Sequence, residues 1–252
     1  MPLPYGSVTL FRKSLSQYLI SLSFSLIQPL LFKLSSTMIL AHNRLHDSTS
    51  NMDQQEPPEF ILDVFADPRS VHDVVKGILH TIFFHRFFPS LVPQTREFLD
   101  LTLPYVDDDE LETMIEQRVA ALERQIDAQR SSGGANNAGS GSGTGGRGQL
   151  VVQFFEKRRR KAWLSRGDEE VCWECWTIKV TVAEPRTESE RAKVRRAMEQ
   201  TLLTTAMKIV TFANTHKDHI PPITTQGANP FPYKINLDQK EAAGWATRMR
   251  IY

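Results

Sequence analysis

The sequence feature that most constrains this chain is an uninterrupted β-prone run, Val171–Val182, which contains no Gly or Pro. β-Branched and aromatic side chains favour strands, and successive side chains of a strand point to opposite faces of a sheet. The more apolar face would consist of Trp176, Ile178, Val180 and Val182. The opposite face would consist of Trp173, Cys175, Thr177 and Lys179. The run therefore predicts a central strand that supports a layer of helices on one face.

The chain before this run predicts a strand, a helix and a second strand. Apolar and other residues alternate over Phe60–Phe65, as in a short strand. Asp67 and Pro68 then have the composition of a helix start, and apolar residues recur every three or four positions to about Phe88. A second alternating segment, Arg96–Leu103, predicts one further strand.

Two later helices are predicted from capping boxes. Asp107 and Glu110 have the spacing of a capping box, in which each side chain accepts a hydrogen bond from the other residue's backbone amide. Thr187 and Glu190 repeat that spacing and open a long third helix that ends near Asn214. Together with the predicted strands, these helices indicate an α+β fold with three main helices.

Apolar side chains on the third helix cover a wider arc than packing on one sheet requires. One apolar stripe consists of Val194, Met198, Leu202 and Ile209. A second group, Leu203, Met207 and Val210, widens the apolar arc by about 100°. The pattern predicts two buried faces, one against the sheet and one available to a partner.

Composition divides the chain into a terminal extension and one folded domain. Residues 1–46 contain no acidic residue, and Ser14–Phe32 is an uncharged run that is diluted by serines and a proline. We expect residues 1–51 to be an extension, either disordered or upstream of the natural start at Met52. Residues 52–252 then form one domain. Ser131–Gly148 holds eight of the thirteen glycines and predicts a flexible insertion within it.

Composition and motif spacing give little support to catalysis or metal binding. The formal net charge is +1, so attraction to nucleic acid or membrane would need a local patch. The two cysteines, Cys172 and Cys175, form a C-x-x-C motif. In a regular strand, residues three apart point to opposite faces and do not share a metal ion easily. We therefore expect no catalytic residue, no metal ion and no cofactor, and a reducing compartment.

A basic loop precedes the central strand and has two alternative interpretations. Its charged residues are Arg158, Arg159, Arg160 and Lys161. They form either a binding patch for nucleic acid or acidic membrane, or a solvated strand edge. Trp163 and Leu164 follow, where a Trp is either an exposed binding residue or folds back into the core.

Several segments together resemble the autophagy-related protein 101 family, in its fungal type. The resemblance covers most of the chain from about Phe60 onward, and it rests on motifs that include the Trp-Glu-x-Trp-Thr run. The matching segments are Ile78–Arg86, Trp173–Val180, Thr187–Arg191 and Tyr233–Ile235. Members carry a loop that exposes Trp, Pro and Phe. Here Trp163 aligns with the Trp, whereas Leu164 follows directly and no Pro-Phe is present.

The resemblance implies a HORMA domain, an antiparallel sheet with three helices packed on it. It implies a non-catalytic subunit of the autophagy-initiating Ser/Thr kinase complex, located in the cytoplasm and at the phagophore assembly site. The subunit would pair with the HORMA domain of autophagy-related protein 13 through Leu203, Met207 and Val210, and would stabilise it. Trp163 and Leu164 would help recruit downstream factors for autophagosome formation, with no nucleic-acid binding and only indirect membrane association.

Overall fold

The described part of the chain forms three helices and six strands. A computed structural model describes residues 57–88, 92–133, 146–159, 168–223 and 229–237. The predicted extension, residues 1–51, lies outside them. The elements in chain order are β1 Glu59–Ala66, α1 Val71–Arg86, β2 Gln94–Phe98, β3 Leu101–Tyr105, α2 Asp109–Gly133, β4 Arg147–Arg159, β5 Asp168–Val182, α3 Glu188–Thr215 and β6 Tyr233–Leu237.

The predicted central strand is β5, which lies inside a four-stranded sheet of order β1-β5-β4-β6. Strand β4 is antiparallel to both β5 and β6. Strand β1 is parallel to β5, so the sheet is mixed rather than wholly antiparallel. Parallel neighbours need a long crossover connection, and here the helices and strands between β1 and β5 supply it. The predicted α+β class is confirmed, and the arrangement is consistent with a HORMA domain.

One face of the sheet forms the core together with the helices. Trp176 and Ile178 of β5 are fully buried, as are Leu62 of β1 and Leu150 of β4. Burying each such side chain stabilises the fold by roughly 1.5–3 kcal/mol relative to leaving it in water. Helix α1 packs against both other helices and against β3, so the β2–β3 hairpin covers the helices on the side away from the sheet.

The segment predicted as one strand at Arg96–Leu103 is a hairpin, so that prediction was wrong. Strands β2 and β3 pair in antiparallel register around a two-residue turn at Leu99 and Asp100. Both turn residues have positive φ, 47° and 62°. Two positive φ values are typical of the tight turn that suits a hairpin, and Gly or Asn usually occupies those positions. Neither residue is present here, and Asp100, which also tolerates positive φ, is only a weak signal for the turn.

Helices α1 and α2 begin later in the chain than predicted, and the predicted start of α3 is confirmed. Helix α1 begins at Val71, because the Asp67 carboxylate accepts the amide of Ser70 at 2.8 Å in a turn that precedes the helix. Helix α2 is capped by Asp108, whose Oδ1 accepts the Leu111 amide at 2.8 Å. Helix α3 starts with the predicted capping box at Thr187.

The predicted insertion at residues 131–148 is shorter at both ends. Helix α2 continues to Gly133, and β4 already begins at Arg147, so only residues 134–145 lie outside the described residues. Gly148 lies so close to α2 that a Cβ atom there would be 2.5 Å from Leu122 Cδ1. This glycine therefore permits β4 to approach the helix and is part of the packed domain.

A buried histidine joins α1, α2 and the end of the β2–β3 hairpin. His80 is 0% exposed, its Nε2 lies 2.9 Å from Glu112 Oε2, and its Nδ1 accepts the Val106 amide at 3.5 Å. Because Nδ1 accepts, we assign the proton to Nε2, which donates to Glu112. Burial lowers the pKa of His80 to about 4, despite the opposing effect of Glu112. Burial likewise lowers the pKa of His85 to about 3.

These two histidines predict a loss of stability in mild acid. Their folded pKa values lie below the ordinary 6.5, so the unfolded chain binds protons first as pH falls. The free energy of unfolding should therefore decrease from about pH 6.5 downward, by at most about 1.4 kcal/mol per pH unit for each histidine. Denaturant unfolding at pH 7, 6 and 5 measures this slope. His80→Gln should reduce it, and equal stability at pH 7 and 5 would contradict the assignment.

Candidate partner-binding surfaces

The first candidate surface is a two-stranded ribbon formed by the end of β4 and the start of β5. Strands β4 and β5 remain paired from Phe155 to Arg159, beyond the last β4 residue that pairs with β6, which is Phe154. We call Phe155–Arg159 with Asp168–Cys172 the ribbon. Trp163 and Leu164 belong to the connection between its strands and lie outside the described residues, as do Arg160 and Lys161.

The basic run on the ribbon stands opposite an acidic run. The register places Lys157 opposite Glu170, Arg158 opposite Glu169 and Arg159 opposite Asp168. Opposite charges on facing strand positions stabilise a ribbon, by roughly 0.2–1 kcal/mol for each pair. The described basic positions of the loop therefore face acidic positions of the partner strand.

The ion pairs on the ribbon join other partners than the facing positions. Arg158 Nε donates to Glu156 Oε2 at 2.6 Å, and Lys234 of β6 donates to Glu170 at 2.7 Å. The hydrogen bond from Lys234 and its charge lower the pKa of Glu170, and Lys157 adds a smaller effect. The ribbon is thus a polar support for the loop residues between its strands.

An irregularity at the base of the ribbon reorients the residues on β5. Phe154 pairs with Glu174 while Phe155 pairs with Cys172, so Trp173 is an extra residue in β5. The prediction that Trp173 lies on the face away from the helices was wrong. Its ring is buried and packs 5.0 Å from the Phe231 ring and 5.7 Å from the Phe154 ring. An extra residue of this kind is a β-bulge, and it brings Trp173 and Glu174 to the same face.

The same bulge changes how the two cysteines are arranged. Cys172 and Cys175 pair with Phe155 and Gln153, which are two residues apart on β4 and therefore share a face. Both thiols are half-buried and free, and burial raises the pKa of Cys175 to about 11. Among the residues that the structure describes, no group of three or more His, Cys, Asp or Glu side chains is arranged to hold a metal ion.

A buried charged cluster holds the base of the ribbon to the helices. Glu174 is 0% exposed, and its Oε1 accepts hydrogen bonds from Arg86 Nε at 2.7 Å and from Trp176 Nε1 at 2.5 Å. Its Oε2 lies 2.7 Å from Nε2 of His219, which follows α3. Arg86 also donates to the carbonyl oxygen of His216 at 3.1 Å. The cluster therefore joins the end of α1, the strand β5 and the segment after α3.

The cluster keeps Glu174 ionised. Burial alone would raise the pKa of its carboxyl group, but the hydrogen bonds from His219, Arg86 and Trp176 and the charge of Arg86 outweigh burial and lower it. A buried ion pair of this kind stabilises the fold only while both partners and their additional hydrogen bonds are present. It therefore specifies one arrangement of the three elements.

The second candidate surface is the outward side of α3. Val210 is only 8% exposed, so most of this side chain is buried. Leu203 is half-buried at the edge of the core, and Met207 is 39% exposed. Of the three residues proposed for pairing, Val210 is therefore buried, whereas Leu203 and Met207 are accessible to a partner. Helix α3 also packs on β1, where Phe212 stacks against Phe60 at 5.2 Å.

Sequence reasoning missed the Arg86–Glu174–His219 cluster. The three residues are far apart in the chain, and a glutamate in an apolar strand is the only local signal. Across the described ranges, no helix is both long and apolar enough to cross a membrane.

Comparisons with known proteins identify one family. The family described as Autophagy-related protein 101 matches residues 63–227 of this chain. Relatives named autophagy-related protein 101 include those of Schizosaccharomyces pombe, 25% identical over 71% of this chain and 85% of the relative, and Homo sapiens, 26% identical over 73% and 89%. The Arabidopsis thaliana relative is 24% identical over 71% of this chain and 86% of its own length.

The buried cluster predicts strong coupling between Arg86 and Glu174. Arg86→Met leaves a buried carboxylate without its main partner and should lower the free energy of unfolding by about 3–5 kcal/mol. The double variant Arg86→Met, Glu174→Leu should lose clearly less than the sum of the two single changes. Denaturant unfolding of all four proteins measures the coupling.

An exposed ion pair provides the control for this cycle. Arg191 and Glu188 are 3.0 Å apart on α3 with both side chains largely exposed, so Arg191→Met should cost about 0.5 kcal/mol or less. Additive effects at Arg86 and Glu174 would show that the buried pair does not hold the three elements together.

Proposed function

Because this chain belongs to the autophagy-related protein 101 family, we propose that it is a non-catalytic adaptor of the autophagy-initiation kinase complex. Family membership supports a role in autophagy. In the proposed role, the chain pairs with the HORMA domain of autophagy-related protein 13, stabilises it, and helps to recruit downstream factors for autophagosome formation. It acts in the cytoplasm and at the phagophore assembly site, and its association with membrane is indirect.

The observation that carries the pairing proposal is the half-exposed apolar side of α3. Leu203 and Met207 are one turn apart and only partly covered, while Leu202 and Ile209 of the same helix are fully buried. An apolar helix face that the domain leaves partly uncovered favours burial against another protein. Binding energy is usually concentrated in a few such residues at the centre of an interface.

The ribbon supports the recruitment part of the proposal. Its two strands stay paired with each other beyond Phe154, the last β4 residue that pairs with β6, and Trp163 and Leu164 belong to the connection between them. Trp163 and Leu164 in that connection would then bind a downstream factor while α3 binds the HORMA partner. Two separate surfaces of this kind suit a protein that joins other proteins and performs no chemistry.

The alternative function, binding of nucleic acid or acidic membrane by the basic loop, has weaker support. Three of its basic positions stand opposite three acidic positions in the ribbon. Phosphate binding releases counterions and weakens steeply as salt increases, which pairing through an apolar face does not. Binding of the chain to duplex nucleic acid or anionic vesicles that falls steeply with salt would favour the alternative.

The proposal treats residues 52–252 as one HORMA domain and residues 1–51 as an extension outside it. The matched family region begins within β1, after the proposed start at Met52. Mass spectrometry of the native protein tests this boundary, because peptides from residues 1–51 would show that the extension is present.

We predict that Leu203→Asp or Met207→Asp leaves the domain folded and abolishes pairing. A carboxylate at either position would be buried against an apolar partner without a compensating charge. Size-exclusion chromatography with light scattering, on each variant mixed with the partner's HORMA domain, measures complex formation. Circular dichroism of the variant alone checks its fold.

Ile61→Asp is the matched control for the α3 variants. Ile61 is 46% exposed and lies on β1, on the sheet face away from the helices, so the same change there should leave pairing intact. Pairing that survives both α3 changes would place the interface elsewhere.

We predict a different effect for Trp163→Ala. This variant should fold and pair as the unchanged protein does, because in the proposal pairing uses α3 and recruitment uses Trp163. Recruitment should be weakened, measured as fewer autophagosomes in cells whose own protein is replaced by the variant. Arg158→Ala is the control within the ribbon. A Trp163→Ala protein that unfolds at lower denaturant would instead identify Trp163 as a core residue.

A further inference from the structure

The apolar patch on α3 continues into a positively charged stretch of the same helix. The first ten residues of α3, 188–197, are exposed apart from the half-buried Val194. This part of the helix therefore projects from the core. Its start is secured by the Thr187 capping box, and Arg195 binds Asp100 of the β2–β3 turn at 2.7 Å.

The exposed cations and the apolar patch lie along one line on the helix surface. At about 100° per residue, six positions fall within an arc of about 80°. These positions, which we call the α3 stripe, are Ser189, Lys193, Arg196, Gln200, Leu203 and Met207. Lys193 and Met207 are separated by about 21 Å along the helix axis, a length suited to a standard protein interface.

The α3 stripe carries two cations, and only Lys193 has a carboxylate near enough to matter, since its charge contributes to the lowered pKa of Glu190. Its side chains include two cations and no carboxylate. Within the described ranges, neither Lys193 nor Arg196 forms an ion pair, whereas Arg191 and Arg195, which point to other sides of the helix, pair with Glu188 and with Asp100 and Glu199. The nearby acidic residues are thus engaged on other sides of α3.

We propose that the partner seated on α3 presents an apolar surface with carboxylates beside it, which face Lys193 and Arg196. This inference rests on the proposed pairing and adds the chemistry of the partner's surface and its orientation along α3. Leu203 and Met207 supply the apolar contact. The two cations speed association by attracting the acidic side of the partner, and they fix which end of α3 it covers.

The test compares two charge reversals of equal size. The double variant Lys193→Glu, Arg196→Glu changes the α3 stripe, and the double variant Arg118→Glu, Arg124→Glu changes two exposed positions on α2. Association with the HORMA domain of the same organism's autophagy-related protein 13 is measured by stopped flow at low and high salt. At low salt, the stripe variant should associate about tenfold more slowly or worse, and high salt should close most of the gap.

A second measurement locates the carboxylates directly. A carbodiimide that joins amines to carboxylates at zero length, applied to the unchanged complex, should link Lys193 to an Asp or Glu of the partner. Equal association rates for the stripe variant and the unchanged chain would overturn the inference and leave the proposed pairing intact. Equal slowing by the α2 variant would also overturn it, because net charge would then explain the effect. An unchanged chain that does not bind this partner would remove both proposals.

Discussion

The rest of the structure depends on one buried ion pair, Arg86 with Glu174. Arg86 ends α1, Glu174 lies at the bulge of the central strand, and the same pair holds the carbonyl of His216 and the ring of His219 after α3. Removing two charges from water costs several kcal/mol for each ion, and this cost is offset only when every donor and acceptor is used. Helices α1 and α3 and the base of the ribbon are therefore fixed relative to each other by one geometry.

This arrangement connects the two candidate surfaces. The bulge that turns Glu174 into the core also begins the ribbon, and Trp173 packs in the same place against Phe231 and His219. Helix α3 packs on the core from Met198 to Ala213, while most side chains of its first ten residues are exposed. Both candidate surfaces are consequently built on elements that the buried cluster joins to each other.

Local patterns predicted the parts of the fold that depend on local chemistry. The alternation of β5 from Trp176 to Val182, the periodicity of α1 and the Thr187 capping box all follow from nearest-neighbour geometry, and each is confirmed. The parts that depend on long-range contacts were not predictable. The Leu99–Asp100 turn has positive φ without Gly or Asn, and the bulge at Trp173 exists because β5 has one more residue than β4 in the paired region. The Glu174 cluster needs partners that are far apart in the sequence.

For the candidate surfaces, too, local patterns were visible in the sequence and the effects of long-range contacts were not. Periodicity correctly indicated that α3 has apolar residues beyond one packed stripe, but it could not reveal that Val210 is buried while Met207 is exposed. That distinction depends on how β1 and α1 pack around the helix. Likewise, the basic run was visible in the sequence, but its acidic opposite strand was apparent only from the register.

The most direct test of the adaptor account is the mass of the complex. Size-exclusion chromatography with light scattering, on the full chain alone and mixed with the HORMA domain of the same organism's autophagy-related protein 13, measures it. The account predicts a stable complex of one copy of each chain. Two separate peaks at the masses of the free proteins, with this chain well folded, would contradict it.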